Sequence, residues 1–263
     1  MREAVIVSTA RTPIGRAYKG AFNNTQSPTL GGFSISEAVK RSGIDPSEVE
    51  DVIMGCALPQ GTSSPNIARL AALAGDLPVT VSGMTMDRQC SSGMMAIATA
   101  AKQVMYDGMD VCIGGGLESI SLVQNDKMNT YKMIDKAVLK KHKDAYMPML
   151  QTAEVVAKRY GISREQQDEY GLQSQQRTAA AQAAGKFDDE IIPVTTTKGI
   201  LDKATGEIKF EEVTLTKDEG NRPSTTLEGL SGLRLVIEGG TITAGNASQL
   251  SDGSSACVIM ESK

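Results

Sequence analysis

Cys90 is the residue of this sequence best placed for covalent chemistry. It stands in Asp87-Arg88-Gln89-Cys90-Ser91-Ser92-Gly93, just before a segment where Met94, Ile97, Ala98, Ala101, Val104 and Met105 recur at helical spacing. A cysteine at a helix start meets unpaired N–H groups and the positive end of the helix dipole. Both favour a thiolate and can pull its pKa from about 8.5 toward neutrality. The same N–H groups suit a developing oxyanion, and the small Ser91, Ser92 and Gly93 leave room for a substrate. On geometry alone, an inert packed cysteine fits the same pattern. Cys56, Cys112 and Cys257 lie in or beside apolar strand-like runs and read as packing residues. The single histidine, His142, sits in Lys140-Lys141-His142-Lys143. That run reads as a solvated basic loop, or an oligomer- or phosphate-facing patch, rather than as a general base.

The elements that must hold Cys90 alternate. Residues 4–9 predict a buried strand, because the run is apolar and β-branched. A helix follows over 33–42, closed by Gly43, and Asp45-Pro46-Ser47-Glu48 predicts a short capped helix. Val52-Ile53-Met54 predicts a strand, Ser64-Pro65 the opening of a helix that Gly75 closes, and Val79 to Val81 a strand leading toward the elbow. A helix over 91–106 and a strand at Val111-Cys112-Ile113, running into Gly114-Gly115-Gly116, complete an α/β layered pattern.

From about residue 119 to 150 the chain is polar, with no sustained period. Residues 152–160 predict a helix stopped by Gly161, and Ser163-Arg164-Glu165-Gln166 a capping box for a long helix ending at Gly185. Residues 186–235 read as loop with short strands such as Ile191 to Val194, and Ser255 to Met260 as an apolar strand that returns to the first sheet. The pattern is that of an α/β domain with a long insertion.

Composition narrows the function classes. The 263 residues carry a net charge of −4, which implies neither a nucleic-acid footprint nor a polybasic membrane patch. Four cysteines without a C-x-x-C pair argue against a zinc site and a disulfide framework, and fit a reducing, cytoplasmic setting. No secretory leader and no membrane-spanning apolar stretch is read in the sequence.

Several segments then match one family in order. They are Arg11-Thr12-Pro13-Ile14-Gly15-Arg16, Gly61 with Asn66-Ile67-Ala68-Arg69, the Cys90 elbow, and Gly115-Gly116-Leu117-Glu118-Ser119. Thr152-Ala153-Glu154, Thr243-Ala244-Gly245-Asn246-Ala247-Ser248 and Asp252-Gly253 follow. The ordered set resembles the thiolase family, over essentially the whole chain. The resemblance implies a thiolase-like layered αβα sheet domain from residues 1–118 plus 251–263, with residues 119–250 as an inserted loop domain that holds coenzyme A. It implies that Cys90 is acylated by an acyl-CoA or 3-ketoacyl-CoA. The acyl group then passes to free CoA or to an acetyl-CoA carbanion. By motif match, Ser248 lies near the pantetheine, Arg222 near the adenine end, and Met149 and Leu250 line the channel. Read locally, Arg222 is equally a solvated loop residue before Pro223, and Ser248 a turn residue.

The resemblance also implies CoA and acyl-CoA as substrates, with acetyl-CoA and 3-ketoacyl-CoA as partners. It implies no permanently bound cofactor or metal, and a homodimer or homotetramer with 119–145 resembling the family's oligomer loop. Asp87 departs from the family's usual Asn, and Tyr146-Met147-Pro148-Met149 from a His-Met-Gly run. The family's second half supplies a G-H-P histidine, a C-x-G cysteine and an N-E-x-F/A segment. None stands in this sequence, so the expectation is a chain with little turnover alone that needs the C-terminal half, on the same gene or as a second subunit. The competing readings are a ketoacyl-synthase-like condensing enzyme and a non-catalytic CoA-binding or scaffold subunit derived from a thiolase. A redox thiol protein ranks last, for want of a nearby resolving cysteine.

Overall fold

The computed structural model describes residues 2–262. They fall into two compact units. The described residues up to Met128, with Asp188–Gly220 and those from Leu250 onward, form the first; Asn129–Phe187 with Asn221–Gln249 form the second. In chain order the elements are β1 (Ala4–Arg11), β2 (Gly15–Arg16), α1 (Ser27–Ser42), β3 (Asp51–Gly55), α2 (Ile67–Ala74), β4 (Ser82–Met86), α3 (Ser92–Lys102), β5 (Val111–Ser119) and α4 (Ile120–Val123). The second unit supplies α5 (Lys136–Lys141), α6 (Met149–Tyr160) and α7 (Arg164–Ala183). The chain then returns to the first unit for β6 (Val194–Leu201) and β7 (Ile208–Leu215), to the second for α8 (Leu227–Ser231), and ends on β8 (Ser251–Glu261).

The main sheet of the first unit runs β1-β8-β5-β3-β4, with β2 on β8. β3 is parallel to β4 and β5, whereas β8 is antiparallel to β1 and β5. The last strand therefore returns to the middle of the sheet, as the apolar run over 255–260 predicts. Side chains alternate between faces with period two. Val52, Met54, Ile113, Ala256 and Val258 join α1 and α2 in one core cluster, while Ile53, Cys112, Cys257 and Ile259 join Ala96 and Ala100 of α3 in another. A sheet packed on both faces by helices is the αβα layering expected from the sequence.

α1 begins at Ser27, six residues before the predicted start at 33, with Pro28 in its first turn. Three further elements differ from expectation, each for a local reason. The β1 run is not buried throughout: Ile6 and Val7 are 56% and 44% exposed. β1 is the edge strand, and its register against β8 slips between Ile6 and Ser8, which leaves Val7 without a paired position. Val79 to Val81 is a turn, closed by the Val81 N–H on the Pro78 carbonyl at 3.1 Å, and the strand begins only at Ser82. The third difference is a hairpin where 186–235 reads as loop: β6 and β7 pair over eight residues each. Both strands are largely exposed. β7 sets Ile208, Phe210, Val213 and Leu215 between polar residues, but the Glu211–Glu212 pair breaks that alternation, and in β6 three threonines follow Val194. The hairpin groups with the sheet unit because Asn23 grips Gly199 twice, Nδ2 donating to its carbonyl (2.8 Å) and Oδ1 accepting its N–H (2.9 Å). Arg11 adds ion pairs to Glu190 and Asp218, which gives the Arg11-to-Arg16 segment a structural task.

In the second unit the Ser163–Gln166 capping box forms as predicted: the Ser163 hydroxyl accepts the Gln166 N–H and Gln166 Oε1 accepts the Ser163 N–H. The Thr243-to-Ser248 motif is a folded turn. Asn246 Oδ1 accepts the Thr243 N–H (2.8 Å), and its Nδ2 donates to the buried Asp168 (3.0 Å). Glu154 accepts the N–H groups of Thr241 and Ile242, both at 2.8 Å. No described helix is long and apolar enough to cross a membrane.

Candidate active site

The elbow at the end of β4 turns because Gln89 takes a positive φ of 46°, rare for a residue with a side chain. Asp87 stabilises that turn by accepting the Gln89 N–H at 2.7 Å. Ser92 crosses it from the other side, accepting the Arg88 N–H (2.8 Å) and donating to the Gln89 carbonyl (2.6 Å). Ser91 is the N-cap of α3 and makes no side-chain capping bond, so Cys90 sits one residue before the cap. The first-turn N–H groups of Gly93 and Met94 are thus not taken by a capping side chain.

Glycines seat this helix on the sheet. A Cβ on Gly55, at the end of β3, would lie 2.2 Å from the Ser92 carbonyl carbon and 2.4 Å from the Gly93 nitrogen. A Cβ on Gly114 would meet Ile97 Cα at 2.7 Å, and one on Gly116 would meet Gly93 Cα at 3.2 Å. Backbone therefore lies against backbone at the foot of the elbow. The C-terminal ends of the parallel strands β3, β4 and β5 form one edge, the customary site edge of an α/β sheet.

Among the four thiols only Cys90 is exposed. Burial pushes Cys56 and Cys112 up to about 12 and Cys257 up to about 11. A thiol of pKa 12 is only about one part in ten thousand thiolate at pH 8, so iodoacetamide at that pH is expected to label Cys90 first and by a wide margin. Peptide mapping of a brief alkylation checks this, and comparable labelling at Cys56 would contradict it.

A motif residue to which the sequence assigns no role also belongs to this edge. Glu118, at the end of β5, accepts the N–H groups of Ala57 (2.8 Å) and Leu58 (3.2 Å) and the Cys56 thiol (3.5 Å). Burial raises its pKa against those bonds, and the nearby charge of Asp87 raises it further. In the sequence it is marked by its place in the Gly115-to-Ser119 motif, as a lone acid closing an apolar, glycine-rich strand.

The second unit holds a cavity of about 290 Å³ lined by Gln175, Arg222, Thr226, Leu230, Ala247 and Gln249, among others. Arg222 is exposed, and its backbone N–H is fixed by Gln175 Oε1 at 2.8 Å. Ser248 is exposed between two of the lining residues. Met149, the exposed first residue of α6, does not line this cavity. Leu250 belongs to the first unit, where its carbonyl accepts the Ala17 N–H at 3.1 Å. His142 ends α5 on the surface among lysines. Among the described residues no His, Cys, Asp and Glu side chains gather as metal ligands.

Known proteins resemble the chain over nearly all of its length. The sequence model of the thiolase N-terminal domain matches residues 4–263. The 3-ketoacyl-CoA thiolase of Bacillus subtilis (strain 168) is 44% identical over 263 residues, covering 99% of this chain and 66% of its own length. The peroxisomal 3-ketoacyl-CoA thiolase A of Mus musculus is 40% identical over 260 residues, covering 98% of this chain and 59% of its own length. The crystal structure of the Bacillus anthracis acetyl-CoA acetyltransferase superposes with a TM-score of 0.82 at 38% identity, over 100% of this chain and 66% of that one. The chain thus spans less than two thirds of these relatives.

Proposed function

The chain belongs to the thiolase family through its N-terminal domain, and from that premise we propose that Cys90 takes an acyl group from an acyl-CoA as a thioester. One observation carries this reading. Cys90 is the sole exposed thiol, and it stands on a sharp turn at the C-terminal edge of three parallel strands. The thiolate attacks the thioester carbonyl, the first-turn N–H groups of α3 receive the charge that develops on its oxygen, and CoA thiolate leaves. Exchange of one thioester for another is close to balanced, so the step runs in both directions. In the complete enzyme, the acyl group then passes to CoA (thiolysis) or to the α-carbon of acetyl-CoA (Claisen condensation).

In this proposal the inserted segment holds CoA, with Arg222, Ser248 and Met149 of the second unit as its contacts. The cavity beside Arg222, of about 290 Å³, is the feature that supports a nucleotide end there. Condensation needs a base for an α-carbon proton. The sequence contains one histidine, and it stands among lysines on the surface. The chain by itself is accordingly expected to form acyl-enzyme without multiple turnover. The proposal places the remaining acid–base groups on a C-terminal thiolase half, within a homodimer or homotetramer, in the cytoplasm, with no permanently bound prosthetic group.

Acetyl-CoA offered to the purified chain tests the central step: one acetyl group per chain, mapped to Cys90, is the expected result. A chain that binds CoA yet stays unacetylated would favour a non-catalytic CoA-binding subunit.

A further inference from the structure

Glu118 is an expensive residue where it stands. It is partly buried, withdrawing a carboxylate from water costs free energy, and neither CoA binding nor the acyl transfer described above uses it. Its oxygens are instead engaged on the turn that follows β3: Oε2 accepts the Ala57 N–H, and Oε1 accepts the Leu58 N–H and the Cys56 thiol. That turn is continuous with the foot of the elbow. The Cys56 N–H donates to the Met86 carbonyl at 3.0 Å, one residue before Asp87. Gly55 abuts Ser92 and Gly93, and the Gly116 backbone, two residues before Glu118, closes on both Gly55 and Gly93. A movement of the Cys56–Leu58 turn therefore passes to both ends of the segment that carries Cys90.

Only an ionised carboxylate offers full acceptor strength on both oxygens at once, and bonds to a charged acceptor are about twice as strong as neutral ones. A glutamine would present its NH₂ group to one of the two N–H donors.

We propose that Glu118 is a positioning residue of this site: its carboxylate pins the Cys56–Leu58 turn under the elbow and so holds Cys90 in its exposed, reactive orientation. The inference rests on the reading of Cys90 as the acyl acceptor and adds the group that sets its geometry. The titratable groups facing Glu118 are the Cys56 thiol, from the end of β3, and the Asp87 carboxylate, from the elbow. Cys56 stays protonated through the neutral range. Burial and Asp87 both favour protonation of Glu118, so acid is expected to release the turn.

The test compares the full chain with Glu118→Gln, using 2,2′-dithiodipyridine, a thiol probe that remains reactive in acid. The rate at Cys90 is followed from about pH 4 to about pH 8. The variant is expected to react about tenfold more slowly at neutral pH. That gap is expected to close as the pH falls, because the protonated wild type then resembles the variant. A constant ratio across the range is what a merely structural role predicts, and it would overturn the proposal, as would equal rates or a faster variant. Should Glu118→Gln not fold, the wild-type profile decides alone. An acid limb steeper than about one logarithmic unit per pH unit supports the proposal, and a limb of unit slope overturns it.

Acetylation of wild-type Cys90 by acetyl-CoA separates the two readings. No acetylation with a closing gap removes the acyl-transfer reading and leaves Glu118 as the positioner of a reactive thiol. Acetylation with a constant ratio removes the role of Glu118 alone.

Discussion

Cys90→Ala is expected to lower acetyl transfer from acetyl-CoA to the chain by about four orders of magnitude or more. The size of the effect follows from the absence of a substitute among the other thiols. Cys112 and Cys257 are buried within β5 and β8 and Cys56 in the turn after β3, and burial holds all three as neutral thiols. None stands on a turn open to a substrate. The substitution removes an exposed side chain from a turn whose hydrogen bonds belong to Asp87, Gln89, Ser91 and Ser92. Stability is therefore expected to change by no more than about 0.5 kcal/mol. Matched unfolding curves with complete loss of the acetyl label would assign the loss to chemistry. Label surviving on another cysteine, at a rate near that of the wild type, would remove Cys90 from the mechanism.

The exposed turn at Cys90 was legible because two signals meet there. Apolar spacing announces a helix after the cysteine, although the face it buries is that of Ala96, Ala100 and Val104 and not that of Met94, which is 70% exposed. The small residues after the cysteine mark an approachable turn. The layering was legible because apolar runs such as 52–54 and 111–113 are too short for helices and lie between helical segments. The β6–β7 hairpin was not, since Thr195, Thr197, Lys198, Lys209, Glu211 and Glu212 spread polar residues along both strands. Its anchors, Asn23 and Thr25 among them, come from a distant loop. Glu118 escaped for a related reason. Its role depends on backbone N–H groups more than fifty positions earlier, brought near by parallel pairing of β3 with β5. Patterns within one segment reveal which face is buried, whereas partners across a sheet are set by the register. The motif residues divide accordingly. Arg11, Glu154 and Asn246 are occupied with internal bonds, so their presence in the ordered motifs reflects the demands of the fold.

Gly55→Ala is expected to destabilise the chain by about 3 kcal/mol or more and to slow acetylation of Cys90 by about a hundredfold in the molecules that remain folded. The added methyl would meet main chain: the Ser92 carbonyl carbon at 2.2 Å, and the Ser92 oxygen and Gly93 nitrogen each at 2.4 Å. Neither partner yields easily. β3 is held on both sides by β4 and β5. α3 is anchored by Ala96, Ala100 and the backbone contact of Ile97 on Gly114. Any relaxation must lift the start of α3, and with it the turn that aims Cys90. Gly43→Ala supplies the contrast. A Cβ there meets nothing within 4 Å, and its cost is that of a left-handed φ of 73°, about 1 kcal/mol. It lies at the end of α1, remote in sequence from the elbow, and leaves acetylation unchanged. Urea unfolding measures the first effect, and the initial rate of acetyl incorporation the second. A Gly55→Ala chain with wild-type stability and labelling would mean that the helix is not seated on β3, and that the exposure of Cys90 does not depend on that contact.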